Sequence, residues 1–507
     1  MNSRTDSVPL PHSRGIFRSI SIRPRRPSIK TLIDLSTRFS SSTSMARTTV
    51  MDFPVEILEI IFCEVLPLLF WDEGPPLQLG SKHAEFKILK TIEWFADPRK
   101  SLIETCRRWK QVVSGATPIW TRLVIDTATE KLTPDTLEGL LRRSRALSVD
   151  IMLVFNRSKS FSTDKYKREL IQVVSRHLHR IRGLRIHFEG VDDTGLLQQL
   201  FPVEHPTFLP SLERIYVTSK GFPCRDVRKR PTLGAIHAPK LERIYFSSSF
   251  SYIWTALAQP RNSCLMHLAF SFRESLSPTD WCSLSTSENL RSLYWCEASC
   301  PFPRTVPVKL TFPQLQSLTL FLPTKLTCNT LAEKFYTPHL KAFAAMFSFK
   351  GQLTWITPFL KCNRQLQQLM LSLLDSMEGA KEAFADLQTL QTLRISNCTL
   401  TESSLSGFLH QDEDGRTLLP QLQDLSVRLQ YGIPMEPLLL KVIRRRLESI
   451  GTAFSFRILD KFRIKQQELD NLLFLGRIFP DNIFFSLEQS EIYQGADSNG
   501  TSLFTGL

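Results

Sequence analysis

One spacing governs what this chain can fold into. Apolar residues at i, i+3 and i+5 return as Ile181-Leu184-Ile186, Leu212-Ile215-Val217, Leu241-Ile244-Phe246 and Leu265-Leu268-Phe270, then as Leu290-Leu293-Trp295, Leu315-Leu318-Leu320 and Leu340-Phe343-Ala345. The series ends with Leu366-Leu369-Leu371, Leu390-Leu393-Ile395 and Leu422-Leu425-Val427. From Leu241 to Leu390 the steps are 24, 25, 25, 25, 26 and 24 residues, a period that scattered leucines would not hold. A fixed period of this size marks a stack of supersecondary units, each burying its apolar face against the next. The i+3 and i+5 members alternate as strand residues do. Several repeats are introduced by Pro, as in "LPSLERIYV", "APKLERIYF", "FPQLQSLTL" and "LPQLQDLSV". Between strands, "LTWITPFLKC" (353–362) and "AKEAFADL" (380–387) read as helices on the return side.

The segment ahead of the repeats is helical. In "DFPVEILEIIFCEVL", Pro54 suits a first helical position, Glu56 falls where the helix dipole favours an acid, and Ile57, Leu58, Ile61, Phe62 and Val65 share a face. A second helix is expected over 82–96, ended by Asp97-Pro98. A third carries Leu102, Cys106, Trp109, Val112 and Val113 as one stripe and ends near Ser114–Ala116, because Pro118 disfavours helix at Thr117. Trp120, Leu123 and Ile125 follow as an apolar anchor.

These residues carry two resemblances. "FPVEILEIIF" (53–62) followed by "SLIETCRRWKQVVSGATPIWTRL" (101–123) resembles the F-box, with its (L/F)PxEIL start and a CRxW helix ending in a P-x-W clasp. About 25 extra residues, near 70–98, separate the halves, and closing such a loop costs little. The repeats look like a leucine-rich-repeat solenoid: "LQTLRISNCTL" (390–400) matches LxxLxLxx(N/C)xL in full and the others match its first half. The order of the two is similar to a large group of fungal F-box proteins.

The expected fold is therefore α/β, a small helical F-box followed by a solenoid of short parallel strands with a helical or irregular convex side. The expected domains are a basic tail at 1–50, the helical segment at 51–125, the repeats at 126–475 with a closing helical stretch, and a partly disordered tail at 476–507. By resemblance, the F-box docks the Skp-family subunit of an SCF-type cullin ubiquitin ligase while the repeats capture an unidentified protein substrate. The alternative is a ligase-independent repeat scaffold with the helices as a cap. Candidate adaptor-contact residues are Phe53, Pro54, Ile57, Leu58 and Ile61, backed by Cys106, Trp109, Val113 and Trp120. For the substrate, the strand residues flanking the inward pairs are the candidates: Arg185 and His187, Arg214 and Tyr216, Arg243 and Tyr245. "LERIY" occurs at 212–216 and 241–245, so stacking sets Arg214 beside Arg243 and Tyr216 beside Tyr245. Arg and Tyr are frequent hot-spot residues, and aligned guanidinium groups suit carboxylates or phosphates. Changing Arg214 and Arg243 together to Glu is then expected to abolish capture without loss of stability.

Other function classes find little footing. The net charge is +14, but residues 1–50, with eight Arg and one Lys against Asp6 and Asp34, contribute +7 of it, so a nucleic-acid partner is not expected. Eleven Ser in the same fifty residues also suit a mitochondrial presequence, beside the readings of a disordered tail or a later start at Met45 or Met51. Ten cysteines are scattered without a CxxC, which fits a reducing cytosol or nucleus and no metal site. The longest apolar runs are too short to span a bilayer, so no membrane partner is expected. No GxxxxGK[ST], HExxH or GxSxG occurs. "HLH" at 177–179, Asp192-Asp193 and the "DED" of 412–414 lack partners for catalysis, so neither enzymatic activity nor a cofactor is expected.

Overall fold

The computed structural model describes residues 53–66, 98–126, 132–156, 163–189, 194–220, 232–247, 256–257, 264–271, 278–285, 287–295, 309–322, 324–398, 418–429, 441–446, 455–458 and 483–485. The chain divides into two units, 1–52 and 53–507, and all described residues belong to the second. The expected helix at 82–96, the basic tail and the acidic run at 412–414 lie outside the described residues.

Among the described residues, fourteen strands form one parallel sheet in which spatial order equals chain order. They are β1 (Arg122–Asp126), β2 (Val149–Asn156), β3 (Ile181–Glu189), β4 (Arg214–Lys220), β5 (Arg243–Ser247), β6 (His267–Ser271) and β7 (Ser292–Trp295). Then come β8 (Ser317–Leu322), β9 (Ala342–Gln352), β10 (Gln368–Ser376), β11 (Thr392–Cys398), β12 (Asp424–Leu429), β13 (Ser455–Ile458) and β14 (Ile483–Phe485). The register hardly drifts. One column runs Leu123, Ile151, Leu184, Ile215, Ile244, Leu268, Leu293, Leu318, Phe343, Leu369, Leu393, Leu425, Phe456, Ile483, one residue per strand. A one-residue slip would move a strand's whole apolar set to the other face, so the buried column fixes the register.

All ten triplets read from the sequence are buried in one continuous core. The leading residue of a triplet closes a tight turn: the Leu212 amide donates to the Leu209 carbonyl at 3.2 Å, and Leu241, Leu315, Leu340 and Leu422 repeat the bond to Ala238, Phe312, Thr337 and Leu419. Pro210, Pro239, Pro313, Pro338 and Pro420 sit second in these turns, where the fixed φ of proline is pre-set for the bend. That accounts for the proline rhythm. The next residue then bonds backbone to backbone with its counterpart one repeat earlier, as Glu242 to Glu213 and Gln367 to Lys341, both at 2.8 Å. Each repeat is therefore pinned just before its strand begins.

The return segments hold α4 (Pro134–Arg143), α5 (Thr163–Arg176), α6 (Thr194–Leu200), α7 (Pro278–Ser285), α8 (Lys325–Lys334), α9 (Thr357–Cys362) and α10 (Ala380–Phe384), numbered after three N-terminal helices described next. Trp281 from α7 stacks on Trp295 of β7 with centroids 4.7 Å apart, and Phe270 meets Trp295 edge-on at 5.2 Å. Rings joined in this way add about 0.5–1.5 kcal/mol per pair beyond their burial. The stretch at 438–475, read as a closing helical segment, holds a helix at 441–446 and then the strand β13, and the sheet continues past 475 to β14.

Ahead of the sheet lie α1 (Val55–Val65), α2 (Pro98–Thr105) and α3 (Arg107–Gly115). The third expected helix is in fact two. Cys106 is extended (φ −163°, ψ 167°), and its Sγ accepts from the Trp109 amide at 3.4 Å, so the thiol caps α3 where Ser or Asp would serve elsewhere. The break lets α2 and α3 meet at an angle and bury both Leu102 and Trp109. Pro54 likewise stands one place ahead of the helix, at its N-cap.

Candidate functional site: two interaction surfaces

The first surface belongs to α1. Leu58, Phe62 and Leu66 turn inward, and the Phe62 ring meets Trp109 of α3 at 4.8 Å. Arg108 donates to the Phe53 carbonyl at 2.7 Å and Arg122 to that of Cys63 at 3.3 Å, fastening both ends of α1. The opposite face stays open at Ile57, 42% exposed, and Ile60, 61% exposed, while Pro54 and Val55 (44%) are exposed at the head of the helix. Exposed apolar residues on a helix whose other face is packed are candidates for a partner contact.

The candidate contact residues divide accordingly. Pro54 and Ile57 are exposed, Phe53 and Ile61 are half-buried, and Leu58, Trp109, Val113 and Trp120 face the core. Cys106 is the half-buried cap. Val55 and Ile60, not among the candidates, are two of the most exposed apolar residues there. Trp120 follows Pro118 in a 3-10 turn (Thr117–Thr121), and its indole N–H donates to the Val113 carbonyl at 2.8 Å. Arg99 and Arg143 lie over its ring at 5.3 and 4.6 Å from the centroid, a cation–π arrangement that joins α2 and α4 across it. Arg122, two residues on, opens β1. The helices therefore pass into the sheet with no linker between them.

The second surface is the sheet face opposite the core. Register sets Arg214 beside Arg243 and Tyr216 beside Tyr245, as the repeated "LERIY" implies. The tyrosine rings meet edge-on at 5.8 Å. They belong to a second apolar cluster, with Met152, Val154 and Ala269, on which Val124 and Tyr294 pack. The structure brings Arg185 and His187 beside them, on β3, but at 1% and 2% exposure these are buried, as are Tyr216 at 2% and Tyr245 at 6%. His187 Nδ1 and the Thr218 hydroxyl are hydrogen-bonded at 2.7 Å.

Arg214 already has a carboxylate. Asp150 of β2, only 4% exposed, takes a two-pronged contact from Arg182 (3.2 and 2.6 Å) and lies 3.3 Å from Arg214 Nη2. Sequence reasoning missed Asp150 because β2 lacks the Leu-led triplet, and its "DIMLVF" is apolar on both faces. Further along, the His267 imidazole is held below its usual range by burial and then by the cations Arg243 and Arg291. Among the described residues no group of His, Cys, Asp and Glu could hold a metal ion, and no helix is long and apolar enough to cross a membrane.

No protein-family profile and no curated protein matches the chain. Among the solved structures that match is the Toll–Spatzle complex, described as a molecular hub in Drosophila development and innate immunity, at 12% identity and a TM-score of 0.26. The match covers 68% of this chain and 51% of that one, so this chain spans about half the length of its neighbour. A likeness that faint carries no argument about fold or function.

Proposed function

We propose that this chain is a substrate-recognition adaptor of an SCF-type cullin ubiquitin ligase, with α1 to α3 as its F-box and the parallel sheet as a leucine-rich-repeat solenoid that captures the target. The observation that carries the reading is the exposure of the apolar Ile57 and Ile60, with Pro54 and Val55 at the helix head, on a helix whose other face is already packed through Phe62 against Trp109. It coincides with the (L/F)PxEIL segment, the part of the F-box resemblance that implies contact with a Skp-family subunit. The repeat sheet is the proposed capture element; Tyr216 and Tyr245 are buried there, so of the candidate residues the half-buried Arg214 and Arg243 are the ones a target could reach, guanidinium groups being frequent contributors at protein interfaces.

A ligase-independent scaffold is the second reading. It draws on the unbroken passage from Trp120 into β1, which makes the three helices a natural cap for the sheet edge. Affinity purification of the full chain from cells, followed by mass spectrometry, separates the two. The adaptor reading expects Skp-family and cullin subunits with the wild type and their loss with the Pro54→Ala/Ile57→Ala double variant. Partners recovered with no ligase subunit would favour the scaffold.

A further inference from the structure

We propose that the turn at 142–148, with Arg176 beside it, is a docking surface for an acidic segment of a partner protein, one that sets carboxylates on either side of an apolar residue. It shares no residue with the exposed side of α1 or with the sheet face, so it holds whether or not the chain serves a ligase.

Positive charge gathers at this end of the sheet. Residues 98–189 hold 19 Lys and Arg against 9 Asp and Glu, whereas 190–507 hold 32 against 29. Such a concentration of one sign draws anionic partners to the clasp and the first strands rather than to the sheet as a whole. Within it, three cationic or basic groups converge on one acid. Arg142 lies 3.3 Å and Arg176 3.7 Å from Glu138, and His177 Nε2 approaches the same carboxylate at 3.3 Å. The Glu138 side chain is 19% exposed, against 77% for Arg142 and 64% for Arg176. One largely buried carboxylate therefore serves two guanidinium groups that remain mostly in water.

The turn between α4 and β2 is held in an unusual shape. Arg145 has φ 50°, the left-handed region that glycine enters most readily, and its exposed side chain makes no ion pair among the described residues. The Arg145 amide donates to the Arg142 carbonyl and the Leu147 amide to that of Ser144, both at 3.0 Å. The buried Ser144 hydroxyl donates to the Leu141 carbonyl at 2.6 Å. Arg180, from the approach to β3 and only 8% exposed, donates to the carbonyls of Leu141 and Arg145. A buried guanidinium thus shapes the turn from beneath. What faces water is Arg142, Arg145, Ala146 and Leu147, the last 44% exposed.

Cations at the end of a helix also offset its dipole, and Arg142 and Arg143 in the last turn of α4 do so. That leaves two features without an account. Arg145 lies beyond the helix in a conformation that disfavours it, and the exposure of Leu147 has no electrostatic purpose. Guanidinium groups take carboxylates by two-pronged bonds, and a turn already ordered loses little freedom on binding. An exposed leucine beside them suits a peptide rather than the phosphate backbone of a nucleic acid.

The probe is a synthetic peptide of glutamates flanking one p-benzoylphenylalanine, irradiated with the full chain and read by mass spectrometry. Cross-links should fall at 142–148 and at the end of α5, and Arg142→Gln/Arg145→Gly/Arg176→Gln should reduce them at least tenfold. Arg145→Gly alone should also reduce them while the melting temperature holds or rises, because glycine adopts the left-handed backbone freely. A residue needed only for the fold would instead lower the melting temperature and leave the yield unchanged. A peptide with glutamine for glutamate should cross-link at least tenfold less. No cross-links, cross-links confined to residues 1–50 or to the sheet face, unchanged yield in either variant, or equal yield from the glutamine peptide would overturn the proposal. So would a single-stranded oligonucleotide that displaces the probe at a tenfold lower concentration than the unlabelled glutamate peptide, since the occupant would then be a nucleic acid.

Discussion

Asp150 changes how the basic residues of the sheet must be understood. Arg214 looks available for a ligand carboxylate in the sequence, yet one is supplied from β2 at 3.3 Å. Arg214→Glu would thus oppose two carboxylates and destabilise the fold, which corrects the expectation of unchanged stability; Gln is the better replacement. Asp150→Asn keeps the shape but removes the charge that both guanidinium groups share. Because the Arg182 side chain is 36% exposed, water screens part of the loss, and about 1–3 kcal/mol is expected, read from the denaturant midpoint. Histidines predict the response to acid. His267 is lowered from 6.5 by burial and the cations Arg243 and Arg291, and His177 chiefly by burial, opposed by its bond to Glu138. With folded values below unfolded ones, the unfolded chain takes up protons first. Their contribution is complete above about pH 6.5 and is lost as pH falls toward the folded values. Melting temperature should therefore drop between pH 7 and 5, and His267→Gln should flatten part of that drop.

Strands β3 to β12 were readable from the sequence because each repeat places a leading Leu, or Ile181 in β3, and then two inward residues at the same spacing. β1 and β2 were not. Leu123 and Ile125 lead β1 directly out of the clasp, and β2 lies 32 residues ahead of β3 with the long α5 between, so neither fits the period. The break at Cys106 was hidden for another reason: helical spacing persists through it, and a thiol is an uncommon cap. The exposed side of α1 was half readable. The periodicity offered Ile57, Leu58 and Ile61 together, and only the position of Trp109 decides that Leu58 turns inward. One glycine tests the turn geometry. A Cβ on Gly234 would lie 1.9 Å from the Pro202 carbonyl oxygen, in the approach to the short strand Ile236–His237. Gly234→Ala must shift backbone, and a loss of about 1–3 kcal/mol is expected in urea unfolding, whereas Gly139→Ala on α4, with open space around it, should be neutral or slightly stabilising.

Fourteen strands in chain order make the sheet a one-dimensional stack, in which stability is nearly a sum over repeats and their neighbours. Surface changes on α1 should then leave the stack intact, which makes binding and folding separable. A chain beginning at Met51 keeps every described residue, so it should melt within a few degrees of the full chain; a larger fall would mean that the first fifty residues contribute to the fold. The central claim is the adaptor contact, and titration calorimetry between the purified full chain and a purified Skp-family subunit tests it most directly. The account predicts a one-to-one complex that Pro54→Ala/Ile57→Ala weakens at least a hundredfold while the melting temperature stays within about 2 °C of wild type, since both residues are exposed. No heat of binding with the wild type, or full affinity in the double variant, would contradict it.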